Sequence, residues 1–183
     1  MSRRYASGKT CYNFHMSDSI RIITTGGTID SELYDSLIKK SVFTRGSYMP
    51  DILNQARVQI PINVEELMQK DSLDITEADR GLMLERCNSC QEDRIIITHG
   101  TATMAETSKY LGPKIQHNKA IILVGSMVQF SQPNSDASFN VGFAIGALLR
   151  VDSGVYVAMN GDLFPWDNVQ EDKEHQIFER ERE

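Results

Sequence analysis

The sequence has few cysteines, no long apolar run and no excess of positive charge, and each absence argues against a class of protein. Its 183 residues carry 19 Lys and Arg against 25 Asp and Glu, a formal net charge of -6. A general nucleic-acid binder needs a basic face, so this balance argues against one. No stretch reaches the ~18 consecutive apolar residues of a membrane span. Residues 1–18 lack the apolar segment of a secretory signal, and we expect them to form a flexible leader.

The three cysteines, Cys11, Cys87 and Cys90, are too few for a disulfide framework in a chain of this length. Cys87 and Cys90 form a C-x-x-C motif. This pair closes a helical pattern, whereas a redox pair lies at a helix N-terminus, where the helix dipole lowers the thiol pKa. No second pair completes a zinc site. We therefore predict structural thiols, no metal, no cofactor and a cytoplasmic location.

Apolar runs alternate with helical patterns along the chain. Four runs are nearly continuous, as in strands that are covered on both faces: Ile20 to Ile23, Ile95 to Ile97, Ala120 to Val124 and Val155 to Met159. Residues 63–68 are a candidate further strand. This alternation predicts one α/β domain over residues 19–168, with a three-layer, mostly parallel doubly wound sheet of flavodoxin or Rossmann type. Residues 169–183 are rich in mixed charges and predict a solvated helix or a frayed tail.

Two stretches have the pattern of a helix N-terminal capping box. Thr76 to Asp79 predicts a helix that runs towards Cys87, and Thr103 to Glu106 predicts a helix that ends at Gly112. A third helix is predicted over residues 139–150.

Polar segments follow the predicted strands, and the carboxyl ends of parallel strands form the binding edge of such a sheet. The first segment is TTGGTID, Thr24 to Asp30. Its two glycines allow a sharp turn and a close approach of the backbone to a ligand. Thr28 could then act as a nucleophile beside backbone N–H groups. A tight turn without chemistry is an equal alternative. A nucleotide site is disfavoured because the G-x-G-x-x-G and P-loop patterns are absent.

Two further segments face the same edge. KDSLD, Lys70 to Asp74, is either part of a site or a polar loop in which Asp74 caps a helix. THGTATM, Thr98 to Met104, places Thr101 at the start of a helix, where carboxylates bind. Ordinary N-capping by Thr101 and Thr103 is the alternative.

Together these segments resemble the N-terminal domain of the L-asparaginase family. TTGGTI, DSLD, THGT-x-TM and the later GS, SFN and VAMN occur in the family's order, over residues 20–168. The resemblance implies hydrolysis of asparagine or a related carboxylate-bearing amide, with Thr28 and Thr101 as the two catalytic threonines. It also implies that Ser72 holds the substrate carboxylate, with Gly27 and Gly100 beside it.

The sequence departs from the family pattern at several site positions. Ala102 stands where the family has an aspartate, Glu171 where it has a lysine and Leu73 where it has a glutamine. Lys173 lies two residues beyond the lysine position. The first-loop tyrosine falls at Phe43, with two substitutes, Tyr34 and Tyr48. The loss of an ionic hydrogen bond weakens binding by about 1.5–3 kcal/mol, roughly 10- to 150-fold.

These departures leave several interpretations open. The first is an asparaginase-like amidohydrolase with weakened or lost activity on an amino-acid amide. The second is a non-catalytic binding protein, and the third is an active enzyme into which Ala102 was introduced; a nucleotide-binding module is the least favoured. We expect a homodimer or higher oligomer, because asparaginase-like crevices are completed across a subunit interface.

Overall fold

The computed structural model describes residues 19–37 and 40–182. The predicted leader at residues 1–18 lies outside the described residues. The strands are β1 Ile20–Gly26, β2 Leu33–Asp35, β3 Lys40–Val42, β4 Ile62–Lys70, β5 Arg94–Thr98, β6 Ala120–Val124, β7 Gly154–Met159, β8 Asp162–Pro165, β9 Gln170–Asp172 and β10 Ile177–Glu179. The helices are α1 Met49–Gln55, α2 Glu77–Ser89, α3 Met104–Leu111 and α4 Ala137–Leu148.

Within the described residues the central sheet has the order β4-β1-β5-β6-β7-β8. Its first five strands are parallel, and β8 pairs antiparallel with β7 at one edge. Counted along the chain, the parallel strands have the order 2-1-3-4-5, which is the flavodoxin-like arrangement. The predicted doubly wound α/β fold is therefore confirmed. The switch point, at which successive strands begin to be added on the other side of β1, lies between β1 and β5. Ligands bind at this point in folds of this strand order.

Both faces of the sheet are covered because its strands are apolar on both sides. Ile23 and Ile97 belong to the cluster that α2 and α3 cover, and Ile22 and Ile96 to the cluster that α1 and α4 cover. The strands that continuous apolar runs predicted are thus β1, β5, β6 and β7, each central in the sheet. None of the described helices is long and apolar enough to span a bilayer.

The segment after β8 differs from its prediction. Residues 170–179 are neither a helix nor a frayed end, because β9 and β10 form an antiparallel hairpin. Phe178 of this hairpin is 4% exposed, and it packs with Val169 in the same cluster as α3. The sequence pattern did not indicate the burial of Val169 and Phe178, because charged residues of both signs dominate this segment. The division of the chain at residue 168 stays a prediction.

Candidate active site

Three loops at the carboxyl ends of β1, β4 and β5 lie in direct contact. A Cβ atom on Gly27, after β1, would lie 2.3 Å from the backbone nitrogen of Gly100, after β5. A Cβ atom on Gly100 would lie 2.7 Å from the Cβ of Ser72, after β4. Gly27 and Gly100 therefore have no room for a side chain. Thr28 and Thr101, the next residues of two of these loops, are brought to the same edge of the sheet.

The loop after β1 turns sharply through its two glycines. Gly26 and Gly27 have φ angles of 99° and 79°, which L side chains rarely adopt. The backbone N–H of Gly27 donates to the carbonyl of Lys70 at 2.9 Å, so the turn is fixed to the end of β4. Thr28 begins a 3₁₀ turn, Thr28–Asp30, and is partly exposed.

Ser72 is buried in the 3₁₀ turn Ser72–Asp74, which Asp71 caps. Asp71 accepts hydrogen bonds from the backbone N–H of Leu73 and, on the β2–β3 hairpin, of Ser41. Although burial raises the pKa of Asp71, these two hydrogen bonds hold it below the ordinary value. Asp71 thus fixes both the Ser72 turn and the adjacent hairpin.

The loop after β5 differs in one detail from its prediction. Thr103 does not cap α3. Its hydroxyl donates instead to the carbonyl of Ser72 at 2.8 Å, which ties the 3₁₀ turn Thr101–Thr103 to the Ser72 turn. That 3₁₀ turn begins after Gly100 without a side-chain cap. The capping box at Thr76 and Asp79 does form, at the start of α2.

A buried histidine supports the Gly100 loop. His99 is fully buried, and its Nδ1 lies 2.7 Å from the carbonyl oxygen of Gly100. This contact requires a proton on Nδ1, so Nε2 accepts from the Thr107 hydroxyl at 2.9 Å. Arg80 in turn donates to Thr107. Burial lowers the pKa of His99 to about 4, so the imidazole is neutral at pH 7.

Asp30 was missed as a functional candidate, although it directly follows the TTGGTI motif. It is 1% exposed. One carboxylate oxygen accepts from the Ser47 hydroxyl at 2.5 Å and the Tyr48 backbone N–H at 3.0 Å. The other accepts from the Thr98 hydroxyl at 3.1 Å. Sequence reasoning had no signal for these partners, because they lie 17, 18 and 68 residues away.

The auxiliary candidates lie in different surroundings. Tyr34 is exposed on β2, whereas Tyr48 is buried, with its ring 5.7 Å from that of Phe130. Phe43 is partly buried between β3 and α1, and Lys173 is exposed after β9. Their roles, like those of Thr28, Ser72 and Thr101, stay predictions.

Ala102 and Glu171 stand at the positions where the L-asparaginase pattern described above has an aspartate and a lysine. Ala102 lies in the turn between Thr101 and Thr103 and is partly exposed. Glu171 is paired with Phe178 in the hairpin, and the Phe178 N–H donates to Asn160, which directly follows β7. Glu171 therefore lies close to the carboxyl edge of the sheet. Its Oε2 is buried and has no hydrogen-bond partner among residues 19–37 and 40–182.

The cysteine pair lies away from this edge, at the C-terminal end of α2. Burial raises the pKa of Cys87 to about 12 and also raises that of Cys90. Both thiols are free. In the part of the chain that the structure describes, no three His, Cys, Asp or Glu side chains lie together in a way that could hold a metal ion.

Comparisons with known proteins agree with this architecture. The family described as "Asparaginase, N-terminal" matches residues 19–175. One component of the glutamyl-tRNA(Gln) amidotransferase from Methanococcus vannielii is 31% identical over 79% of this chain and 35% of its own length. A probable periplasmic L-asparaginase from Haemophilus influenzae is 30% identical over 79% of this chain and 44% of its own length. The chain thus spans less than half the length of these two relatives.

Two solved structures are similar to the whole described fold. The thermostable L-asparaginase from Thermococcus kodakarensis has a TM-score of 0.76 and 26% identity, over 88% of this chain and 51% of that one. A probable cytoplasmic L-asparaginase from Campylobacter jejuni also has a TM-score of 0.76 and 26% identity, over 90% of this chain and 53% of that one.

Proposed function

The chain belongs to the asparaginase family, and from this premise we propose that it is an amidohydrolase of small carboxylate-bearing amides, with weakened activity on asparagine itself. The observation that carries the proposal is the contact of Gly27, Gly100 and Ser72 at the switch point of the sheet. This contact supports a shared site, because the two threonine-bearing turns and the buried serine follow strands that end at one edge of the sheet. The similarity to proteins named L-asparaginase supports the reaction class.

In the proposed reaction the Thr28 hydroxyl attacks the amide carbonyl. A C–O bond forms, the C–N bond breaks and ammonia leaves with the proton of the hydroxyl. Water then hydrolyses the acyl ester and frees Thr28. The Gly27 N–H already donates to the carbonyl of Lys70, so the candidates for binding the oxyanion are the other backbone N–H groups around Thr28. Ser72 and the Thr101 turn are the candidates for binding the substrate carboxylate.

The rate is limited by the activation of Thr28, because a threonine hydroxyl alone is a poor nucleophile. The family's aspartate and lysine are replaced by Ala102 and Glu171. An ionic hydrogen bond contributes about 1.5–3 kcal/mol. The loss of one contact at each position therefore predicts a large decrease in kcat/KM for L-asparagine.

The test is steady-state ammonia release from L-asparagine and L-glutamine. We expect slow release by the parent, none by Thr28→Ala and partial retention by Thr28→Ser, which keeps the hydroxyl. Ala102→Asp alone should improve KM more than kcat, because Glu171 places a second carboxylate nearby. Ala102→Asp with Glu171→Lys should exceed the sum of the single effects, since both belong to one network.

Circular dichroism provides the control for folding in this series. A folded double variant that is no faster than the parent would contradict the proposed cause of the weak activity. Absence of ammonia release from every variant would favour the alternative, a binding protein of the same fold. The specific observation that favours this alternative is the buried, unpartnered Oε2 of Glu171, because a lone carboxylate in place of a lysine opposes the formation of an oxyanion.

We also propose a homo-oligomer in the cytoplasm. Leu73, next to Ser72, is 64% exposed, and Leu33 and Tyr34 of the β2–β3 hairpin are about half exposed. Large exposed apolar side chains are typical of a surface that another protomer covers. Light scattering should give at least twice the monomer mass at high micromolar concentration. A stable monomer under these conditions rules out the oligomer.

A further inference from the structure

Asp30 joins three segments that surround the candidate nucleophile. It belongs to the same 3₁₀ turn as Thr28. Through Thr98 it is connected to the end of β5, directly before His99 and Gly100. Through Ser47 and the Tyr48 N–H it is connected to the loop that precedes α1. The Asp30 carboxylate therefore connects the Thr28 turn to two segments, the end of β5 and the loop before α1.

The connection to β5 continues through Thr25. The backbone N–H of Thr25 donates to the Thr98 hydroxyl at 3.3 Å, and the Thr25 hydroxyl donates to the Thr98 carbonyl at 2.6 Å. Thr98 thus accepts two hydrogen bonds from Thr25, directly before the glycine turn, and donates one to Asp30, after that turn. This arrangement fixes both ends of the turn on which Thr28 lies.

The charge of Asp30 is poorly compensated. No ion pair with Asp30 occurs within residues 19–37 and 40–182. The carboxylate of Glu66, which accepts a hydrogen bond from the Ser47 N–H at 3.0 Å, acts on Asp30 with a charge of the same sign. Burial raises the pKa of Asp30, and the Glu66 charge raises it further, against the lowering effect of Ser47, Thr98 and Tyr48.

A buried carboxylate without a cation reduces stability, because water solvates the charge better in the unfolded chain. Asparagine has the same shape and no charge, but its NH2 group cannot accept the hydrogen bond that Thr98 donates to the second carboxylate oxygen. The charge does make the three accepted hydrogen bonds stronger than neutral ones, by roughly a factor of two. The buried charge thus lowers the stability of the fold, but its stronger hydrogen bonds make the Thr28 turn more rigid.

We propose that Asp30 is a positioning residue that holds the Thr28 turn between the end of β5 and the Ser47–Tyr48 loop, and thereby aligns the Thr28 hydroxyl for attack. This inference rests on the proposed amidohydrolase function for its catalytic consequence. Asp30 does not touch the substrate. It acts through the turn, and its effect belongs in kcat rather than in KM.

The experiment compares Asp30→Asn with Asp152→Asn, an exposed aspartate between α4 and β7. Asp30→Asn removes both a buried charge and the acceptor of the Thr98 hydrogen bond, and because these effects oppose each other we expect little net change in the melting temperature at pH 7. Hydrogen exchange should be at least 10-fold faster at the Thr25 and Tyr48 amides, and unchanged at the core amides of β6. Asp152→Asn should leave the exchange at all these amides unchanged.

Kinetics complete the test, in the parent or in the Ala102→Asp, Glu171→Lys background. Asp30→Asn should lower kcat at least 10-fold and change KM little. A lower melting temperature with a parallel loss of all properties would show a merely structural role. Unchanged exchange at Thr25 and Tyr48 would overturn the inference even if ammonia is released. Faster exchange without ammonia release from any variant would support the positioning of the turn and refute the proposed function.

Discussion

Replacement of Gly100 by alanine tests whether the three loops of the crevice pack as closely as the structure indicates. Gly100 has φ of -70° and ψ of 144°, which alanine adopts without strain. The conflict is purely steric. The added Cβ would lie 2.7 Å from the Cβ of Ser72 and 3.2 Å from the Cα of Gly27. Carbon atoms prefer separations of about 3.5–4.0 Å, so the Ser72 contact is too short by roughly 1 Å.

The expected decrease in stability follows from the rigidity of the neighbour. Ser72 is buried, and its carbonyl is held by Thr103, so it cannot move aside freely. Overpacking of this kind costs about 1–3 kcal/mol. For a domain of this size each kcal/mol lowers the melting temperature by roughly 2–4 °C. Gly100→Ala should therefore lower the melting temperature by about 2–12 °C.

Differential scanning fluorimetry of a double-mutant cycle provides the assay. Ser72→Gly removes the atoms that the new Cβ meets, so it should restore part of the lost stability in the Gly100→Ala background, with a coupling of about 0.5–3 kcal/mol. Gly142→Ala is the control, because a Cβ there meets nothing within 4 Å and the site is in α4. This change should stabilise the helix by about 1 kcal/mol. A Gly100→Ala protein as stable as the parent, or strictly additive effects, would refute the close packing.

Three further perturbations test other parts of the structure. Because burial lowers the pKa of His99 to about 4, the unfolded chain binds its proton first as the pH falls below about 6.5, and stability is lost between these values. Urea unfolding of His99→Gln should therefore show a weaker pH dependence than that of the parent, and an equal dependence would contradict the burial of a neutral imidazole. Phe178→Ala should cost about 3–5 kcal/mol in urea, whereas Ile177→Ala, on the exposed side of β10, should cost under about 1 kcal/mol; equal losses would contradict the packing of the hairpin. Thr76→Ala should destabilise by about 1 kcal/mol through loss of the capping box, and calorimetry showing no change would exclude that role.

Much of the fold could be predicted because its information is local. Continuous apolar runs mark strands that are buried on both faces, and β1, β5, β6 and β7 follow this rule. The capping box at Thr76 is likewise a short-range pattern, and it forms as predicted. The same local pattern at Thr103 is misleading. There the Thr103 hydroxyl donates to the carbonyl of Ser72, which is distant in sequence and therefore outside a local pattern.

The β9–β10 hairpin was missed for a related reason. Its strands have three residues each, and only Val169 and Phe178 anchor it to the core. These two residues and the exposed Ile177, among many charges, produce no periodic signal. The burial of Val169 and Phe178 depends on a surface that α3 and the sheet provide, which is a property of the assembled fold.

The sequence alone determined the family motifs, the succession of the central strands with helices α2, α3 and α4, and the positions of Thr28, Ser72 and Thr101 after strands, because residue type and local periodicity are sufficient for these. Only the tertiary structure decided which loops touch and which polar groups are paired. Gly27, Gly100 and Ser72 converge because parallel strands end at one edge of the sheet. Asp30 finds Thr98, which is 68 residues away, because β1 and β5 are neighbours. Hydrogen bonds and packing act over a few ångströms of space, and a distance in sequence does not reveal them.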